Sequence, residues 1–268
     1  MFTTVVVPLD GSPRAASTLE LAAELARRAG AALELVTVAS PGLDLLDHEL
    51  ALKAACGDVE GVPCAWRVIE SNEVDVALAG AVTDTDAILC MATHARTGIA
   101  RAALGSTAEA TVRAATRPVV LVGPHAQVPE DWDVVQACIE PTSELSRRAV
   151  PVAVALTRLL GARLWLVEVE PARQLRSGVD VPESAGVAAL ATALRRDGLD
   201  VEWDVLHGDD VAAELLSSQR TLGSSVLVTS SHARRGLTRA ALGSVTTSLV
   251  HDAVCPVLVV PPTAAGRT

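Results

Sequence analysis

An internal repeat constrains the fold of this 268-residue chain more than any other feature of its sequence. The segment THARTGIARAALGST, residues 93–107, returns as SHARRGLTRAALGSV, residues 231–245. Ten of the thirteen residues from His94 to Ser106 are identical in the second copy, at an offset of 138. The likeness continues outside this segment, because Gly30 and Gly161 each follow a predicted helix and precede an apolar strand. The chain is therefore two copies of one folding unit.

Each copy alternates strand and helix patterns. In the first copy the apolar strand VVVPL precedes the amphipathic helix ASTLELAAELARRAG and the strand LELVTV. In the second copy, SRRAVPVAVALTRLLG predicts one helix over residues 146–161. Buried strands that alternate with helices indicate a parallel sheet covered on both faces. The predicted fold class is α/β, with two tandem, doubly wound, five-stranded and mostly parallel sheets.

A polar, proline-bearing stretch, PHAQVPEDWD at residues 124–133, separates the copies and has no helical period, which predicts a linker. The first domain is expected at residues 1–123 and the second at residues 134–268. We expect the two domains to pack face to face about a pseudo-twofold axis. The apolar last strands, PVVLV and PVLVV, are expected to pair or pack with each other, because an exposed apolar edge invites aggregation.

Composition narrows the classes of function. A formal net charge of -10 argues against nucleic acid and anionic membranes as partners, since both need a cationic surface. No apolar run approaches the roughly 18 residues that span a bilayer, and the first residues do not resemble a secretory leader. We therefore expect a cytoplasmic protein. Five scattered cysteines fit buried thiols in a reducing compartment.

Candidate ligand-binding residues follow the predicted strands. In doubly wound sheets, ligands bind outside the carboxyl ends of the strands. Asp10-Gly11-Ser12 follows the first strand, Val38 lies at the end of the second, and the repeated segment follows the fourth. Gly105 and Ser106 begin a helix, where amides and a hydroxyl can donate to phosphate oxygens. These segments are expected to form one pocket.

Several of these motifs together resemble the universal stress protein family in its tandem two-domain form. They are VVVPLDGS, MATHARTG, the nine residues between Ala95 and Gly105, Ser106 and the terminal PVVLV. The resemblance implies a five-stranded α/β unit that binds adenine nucleotide, here ATP with or without Mg²⁺. It also implies a role in stress-response regulation or sensing, and self-association between domains or as a homodimer. Asp10 and Val38 match the positions that meet the adenosine part, and Gly105 and Ser106 match the phosphate-binding positions.

The chain departs from the family pattern at two glycines. Ala92 and Ala95 stand where ATP-binding members carry glycine, and Glu140 replaces the first-copy Asp10. A methyl group opposes the close backbone approach that glycine permits. These alanines favour the alternative, a scaffold that acts through protein contacts alone. Where the first copy has Asp10-Gly11, the second has Glu140-Pro141, with a longer acid and a ring that removes an amide donor, so the first pocket is expected to bind nucleotide better than the second. The candidate nucleotide-binding residues are Asp10, Gly11, Ser12, Val38, Ala92, His94, Ala95, Arg96, Gly105, Ser106 and Thr107, with Gly243 and Ser244 in the second copy.

Local roles for these residues stay open. Asp10 suits an Asx turn, Gly105 and Ser106 suit a helix cap, and His94 suits a hydrogen bond that holds its loop. The phosphate-loop pattern GxxxxGK[ST] is absent, and no nucleophile with a partnered base is evident. No catalytic residue is predicted, and at most weak ATP hydrolysis is expected.

Overall fold

The computed structural model describes residues 2–83, 86–93, 104–172, 185–231 and 242–261, and the structural statements below concern those residues. The first half contains β1 (Thr4–Pro8), α1 (Pro13–Ala29), β2 (Ala32–Ala39), α2 (Leu46–Gly57), β3 (Cys64–Glu70), α3 (Val74–Gly80), β4 (Ala87–Ala92), α4 (Ser106–Ala114) and β5 (Val119–Val122). The second half contains β6 (Val134–Cys138), α5 (Glu144–Arg147), α6 (Ala149–Leu160), β7 (Arg163–Glu170), α7 (Ala185–Arg196), β8 (Val201–His207), α8 (Val211–Leu222), β9 (Val226–Ser230), α9 (Ser244–Asp252) and β10 (Val257–Val260).

Local sequence signals explain where the first long helix starts and stops. Ser12 caps α1 by accepting the N–H of Ala15, and Pro13 occupies the first turn, where a missing N–H costs nothing. Gly30 ends the helix in the left-handed conformation, with φ +60°.

The expected single helix over residues 146–161 is wrong, because the structure divides it into α5 and α6 around Arg148. Pro151 lies in the first turn of α6 and has no N–H to donate to the carbonyl of Arg147. A proline is tolerated in a first turn but not in a helix interior, so a new helix begins just ahead of it.

The ten strands form one sheet in the order β3-β2-β1-β4-β5-β10-β9-β6-β7-β8. Each half contributes five parallel strands with the same internal order, and β5 pairs with β10 in the antiparallel direction. The predicted α/β fold with mostly parallel strands is confirmed, and so is the predicted pairing of the two last strands. The strands of the two halves therefore point in opposite directions, and their carboxyl ends lie at opposite edges of the joined sheet, where the strands end.

The register of the central pair shows a local twofold relation. Leu258 lies opposite Val120, and these are equivalent positions of the two copies, since 258 minus 120 is the repeat offset of 138. The flanking pairs are Val257 with Leu121 and Val259 with Val119, which exchange under the same twofold. The halves therefore join edge to edge, and the expected face-to-face packing is wrong. Pairing satisfies the backbone groups of both edge strands, which face-to-face packing would leave exposed.

Apolar layers cover both faces of the sheet and continue from one half into the other. Val120 and Leu258 pack in the layer that contains α1 and α6, which also contact each other. Val119 and Leu121 pack in the opposite layer, so β5 is buried on both faces. None of the helices in the described ranges combines the length and apolarity needed to cross a membrane. The domain boundaries at residues 123 and 134 stay a prediction.

Candidate functional site

The strands that carry the predicted site residues are neighbours in the sheet. β1 lies between β2 and β4, and all three are parallel, so their carboxyl ends meet on one side of the first half. Asp10 follows β1, Val38 is the second-last residue of β2, and Ala92 ends β4. We call this region, together with the start of α4, the first carboxyl end. The structure brings these three residues to the same side of the sheet.

The turn after β1 is held by its own side chains. Asp10 Oδ1 accepts the N–H of Ser12 at 3.0 Å, and Ser12 Oγ accepts the N–H of Ala15 at 3.3 Å. Gly11 between them has φ +78°, and no atom lies within 4 Å of the position that a Cβ would take there. The turn-forming role left open for Asp10 is therefore filled in the structure. Its side chain is also exposed at the first carboxyl end.

The structure adds Arg14, a residue that sequence reasoning missed. Its Nη1 donates to the carbonyl oxygen of Thr93 at 3.4 Å, directly after β4, and the side chain is half-buried. The first turn of α1 contains no acidic residue, although a helix N-terminus favours negative charge. A guanidinium beside such a turn makes the site attractive to an anion. The signal in the sequence was an arginine two residues after the capping serine.

The start of α4 presents backbone donors. Gly105 is the N-cap residue and offers no side chain to the amides of the first turn, while Ser106 and Thr107 are exposed there. Because β4 and β5 are parallel, the helix between them runs back from the carboxyl end, so its N-terminus lies at the first carboxyl end. Exposed amides and hydroxyls at a helix N-terminus are the groups that bind phosphate in proteins.

Three predicted residues, His94, Ala95 and Arg96, lie outside the described residues. Ala92, the other alanine at a family glycine position, is buried, with 8% of its surface exposed. Thr93 beside it is also buried, and both its N–H and its Oγ1 donate to the carbonyl oxygen of Val122. The last residue of β4 and the residue after it are therefore buried, and Thr93 uses its polar donors inside the protein.

The second half carries carboxylates at the corresponding place. Glu140 follows β6, and Glu168 and Glu170 lie at the end of β7. Burial, with the neighbouring charges of Glu170 and Glu140, raises the pKa of Glu168, so Glu168 is close enough to feel the charge of both. His207 ends β8 with its Nε2 3.9 Å from Glu170 Oε2. We call this region, with the start of α9, the second carboxyl end.

Sequence reasoning did not select Glu168, Glu170 or His207. The available signal was the alternation in EVE at the end of β7, because residues i and i+2 of a strand share one face. The position of His207 beside that face depends on the pairing of β7 with β8, which places Glu170 opposite His207.

The helix starts of the two halves are alike. Gly243 caps α9 with φ -57°, as Gly105 caps α4 with φ -54°, and Ser244 is exposed like Ser106. One local difference is a buried Thr246, whose Oγ1 donates to the carbonyl oxygen of Ser230 at 3.3 Å. The two carboxyl ends therefore share a helix start and differ in the charges around it.

The cysteines divide into two groups. Cys90, Cys138 and Cys255 are buried, and burial raises the pKa of each thiol to about 12, as expected of inert core thiols. Cys56 and Cys64 are only half-buried, so the expectation of burial is wrong for them. Burial and a hydrogen bond to the Cys56 thiol raise the pKa of Cys64 to about 12.

The strand order and the polar residues at the carboxyl ends define the class of this protein, a tandem doubly wound α/β protein. A sequence profile of the universal stress protein family matches residues 1–60, 46–123 and 137–261. The chain belongs to the universal stress protein family, and the resemblance drawn from its motifs is confirmed. Among curated proteins, none matches the chain significantly.

Solved structures share this fold over nearly the whole chain. A universal stress protein from Archaeoglobus fulgidus DSM 4304 is 17% identical with a TM-score of 0.75, and the match covers 97% of this chain and 98% of that one. A putative universal stress protein from Pseudomonas aeruginosa UCBPP-PA14 is 15% identical with a TM-score of 0.67, covering 98% and 94%. A functionally unknown protein from Pseudomonas aeruginosa PAO1 is 16% identical with a TM-score of 0.67, covering 98% and 93%.

One shorter match has a ligand. A universal stress protein solved in complex with cAMP matches 50% of this chain and 99% of its own length, with 20% identity and a TM-score of 0.39. The bound cAMP is a property of that protein.

Proposed function

We propose that this protein binds adenine nucleotide, with ATP as the ligand, at the first carboxyl end and acts in the cytoplasm in stress-response regulation or sensing. The observation that carries the proposal is the combination of donors and charge at that end. The start of α4 offers amides with no capping side chain, and the Arg14 guanidinium lies beside the end of β4. Both features suit the phosphates of a nucleotide.

The described residues divide between the two parts of the nucleotide. The first-turn amides of α4, with the hydroxyls of Ser106 and Thr107, would hold the phosphates, and Arg14 would offset their charge. Asp10 is exposed and has acceptor oxygens for adenosine hydroxyls, while Gly11 leaves open space beside it. Val38 is a half-buried apolar side chain on the adjacent strand that suits contact with the base. Mg²⁺, where present, would accompany the phosphates.

Binding is proposed without a catalytic step of its own. His94, Ala95 and Arg96 belong to the expected pocket through the repeated segment alone, and Ala95 is one of the two alanines at a family glycine position. Hydrolysis is expected to be weak at most. The nucleotide then acts as a bound signal, whose presence changes the stability of the first half by mass action.

The second carboxyl end is proposed not to bind ATP with comparable affinity. Glu140, Glu168 and Glu170 bring negative charge to the same carboxyl end as the start of α9, and burial, with the charges of its two neighbours, raises the pKa of Glu168. A triphosphate brought to the same place would meet that repulsion. Pro141 in addition removes one amide donor from the turn after β6.

A matched pair of glycine variants tests the proposal. Gly105→Val and Gly243→Val place the same bulk at the same helix start in the two halves. Isothermal titration with ATP and Mg²⁺ should show one site in the wild type, loss of that site in Gly105→Val, and unchanged binding in Gly243→Val. Thermal melts of both variants establish that each is folded.

The outcomes separate the alternatives. Equal binding in all three proteins would mean that the site lies elsewhere, and loss in Gly243→Val alone would assign it to the second half. Absence of ATP binding in the wild type would overturn the proposal and favour a scaffold that works through protein contacts.

A further inference from the structure

The linker passes the last turn of α9 directly after it leaves β5. Gly123 makes this approach possible, because a Cβ at that position would lie 1.8 Å from the carbonyl oxygen of Val250. The backbone continues with the N–H of Ala126 bonded to the Gly123 carbonyl, and the N–H of Gln127 bonded to Val254. The linker is therefore held against the end of α9 on both sides of residue 125.

This path brings three potential metal ligands together. His125 comes from the linker, and His251 and Asp252 end α9. Each offers one ligand atom, and these atoms lie within 4.8 Å of one another. The rings of His125 and His251 are 5.8 Å apart between centroids, and His251 Nδ1 lies 2.7 Å from Asp252 Oδ1. We propose that these three residues bind a transition-metal ion of the Zn²⁺ type.

The geometry needs little adjustment. A tetrahedral ion with ligands at about 2.1 Å places those ligands roughly 3.4 Å from each other, so separations of up to 4.8 Å must close by at most about 1.4 Å. The 2.7 Å contact between His251 Nδ1 and Asp252 Oδ1 must open if both atoms bind the ion. His125 and Asp252 are exposed and His251 is half-buried, so their side chains can rotate toward a common ion without disturbing the core. Three protein ligands leave the fourth position to water.

The donor set selects the class of metal. Two imidazole nitrogens and one carboxylate oxygen suit Zn²⁺, Co²⁺, Ni²⁺ and Cu²⁺, whereas Mg²⁺ and Ca²⁺ prefer oxygen alone. The site stands at the C-terminus of a nine-residue helix, where free carbonyls favour a cation. Arg220 lines the same open groove and carries opposing positive charge, which water in the groove screens.

At the twofold-related end of α4, the described residues include no such set of ligands. Arg113 and Ala114 end α4 where His251 and Asp252 end α9, and Pro261 takes the place of Gly123. Arg113 is instead paired with Glu109 on its own helix, at 3.0 Å. The site therefore belongs to one side of the repeat. The metal would connect the linker, through His125, to α9 of the second half, through His251 and Asp252.

The test is titration of the full chain with Zn²⁺, with Mg²⁺ as a comparison. We expect a single Zn²⁺ site in the wild type and none for Mg²⁺. Losing even a residue that only orients a metal ligand weakens metal binding by 10- to 100-fold, so His125→Ala and His251→Ala, which remove a ligand, should each raise the Kd about 100-fold or more. His48→Ala, which removes a histidine on α2, should leave the Kd unchanged. Zn²⁺ should also raise the Tm of the wild type, but not of the two cluster variants.

Thiol binding is the competing explanation, because Cys56 and Cys64 are adjacent and half-buried. Cys56→Ser with Cys64→Ser should retain the site, and Co²⁺ bound to the wild type should show no thiolate charge-transfer band. Loss of the site in the cysteine variant, unchanged binding in His125→Ala and His251→Ala, or no Zn²⁺ binding in the wild type would each overturn the proposal.

Discussion

The carboxyl ends of the two halves have similar starts of α4 and α9 and differ in the charges around them. At the first carboxyl end, the described residues include one exposed acid in the turn after β1 and a half-buried Arg14 beside β4. At the second, Glu140, Glu168 and Glu170 lie together, and the residue that corresponds to Arg14 is Leu145. The helix that starts at each end nevertheless begins with the same Gly-Ser pair.

This difference shows which residues the fold needs in both halves and which residues can differ with the ligand. The apolar residues of the inner strands recur in both halves because these strands must bury both faces. Residues just beyond the strand ends are exposed or half-buried and contribute little to the core, so their charge can differ without loss of the fold. Two copies of one unit can therefore present sites that differ in charge.

The largest expected effect concerns the junction that the two halves share. Val120→Asp and Leu258→Asp each bury a carboxylate at the centre of the β5 and β10 pair, where the side chains are 2% and 1% exposed. Because an uncompensated buried charge is costly, each should lower the free energy of unfolding by at least about 3 kcal/mol. Chemical denaturation measures this loss.

The twofold relation also predicts that the two variants lose the same free energy of unfolding. Val254→Asp is the control, since Val254 is 41% exposed and should change stability by no more than about 0.5 kcal/mol. A loss confined to one of the two junction variants would contradict the symmetric junction.

An intermediate effect, on the Kd for ATP, is expected from replacing Arg14, a cationic residue of the first carboxyl end. Arg14→Leu gives the first half the type of residue that the second half carries at this position. Because a hydrogen bond to a charged group contributes about 1.5 kcal/mol or more, the Kd for ATP should rise about tenfold, with a weaker dependence on salt. Arg28→Leu makes the same change at the other end of α1 and should leave the Kd unaltered. Equal effects of the two variants would mean that only net charge matters.

The smallest expected effect concerns Glu168. Its pKa is raised in the folded state, so protonation favours folding: this contribution is present at low pH and is lost as pH rises through the folded pKa. Glu168→Gln should therefore stabilise the protein at neutral pH by about 0.5 kcal/mol and remove this part of the pH dependence. Thermal melts from about pH 4 to pH 8, a range that spans the ordinary carboxyl pKa, would show it.

Glu34→Gln is the matched variant on the second strand of the first half. Glu34 accepts from Arg67 at 2.7 Å, so its neutralisation removes an attraction and should not stabilise the protein. A stabilisation of the same size in both variants would show that the repulsion at the second carboxyl end is not the cause.

The fold and part of the candidate site could be predicted from the sequence because their signals are local. The repeat, the strand and helix periods, and caps such as Ser12 and Gly30 each occupy a short stretch of chain. The rule that ligand groups lie beyond parallel strands then placed Asp10 and Val38 on the same side of the sheet. The prediction of one helix over residues 146–161 places Pro151 in a helix interior, whereas in the structure Pro151 lies in the first turn of α6.

The sequence by itself determined that this protein is two copies of a doubly wound α/β unit. It also determined that the turn after the first strand differs between the copies, with Asp10-Gly11 in one and Glu140-Pro141 in the other. Only the tertiary structure decided the register that places Leu258 opposite Val120, that Arg14 meets the end of β4, and that His125 lies beside His251. These contacts join residues 79 to 138 positions apart. Periodicity describes neighbours along the chain, whereas such contacts depend on strand pairing and on how closely two backbones can approach.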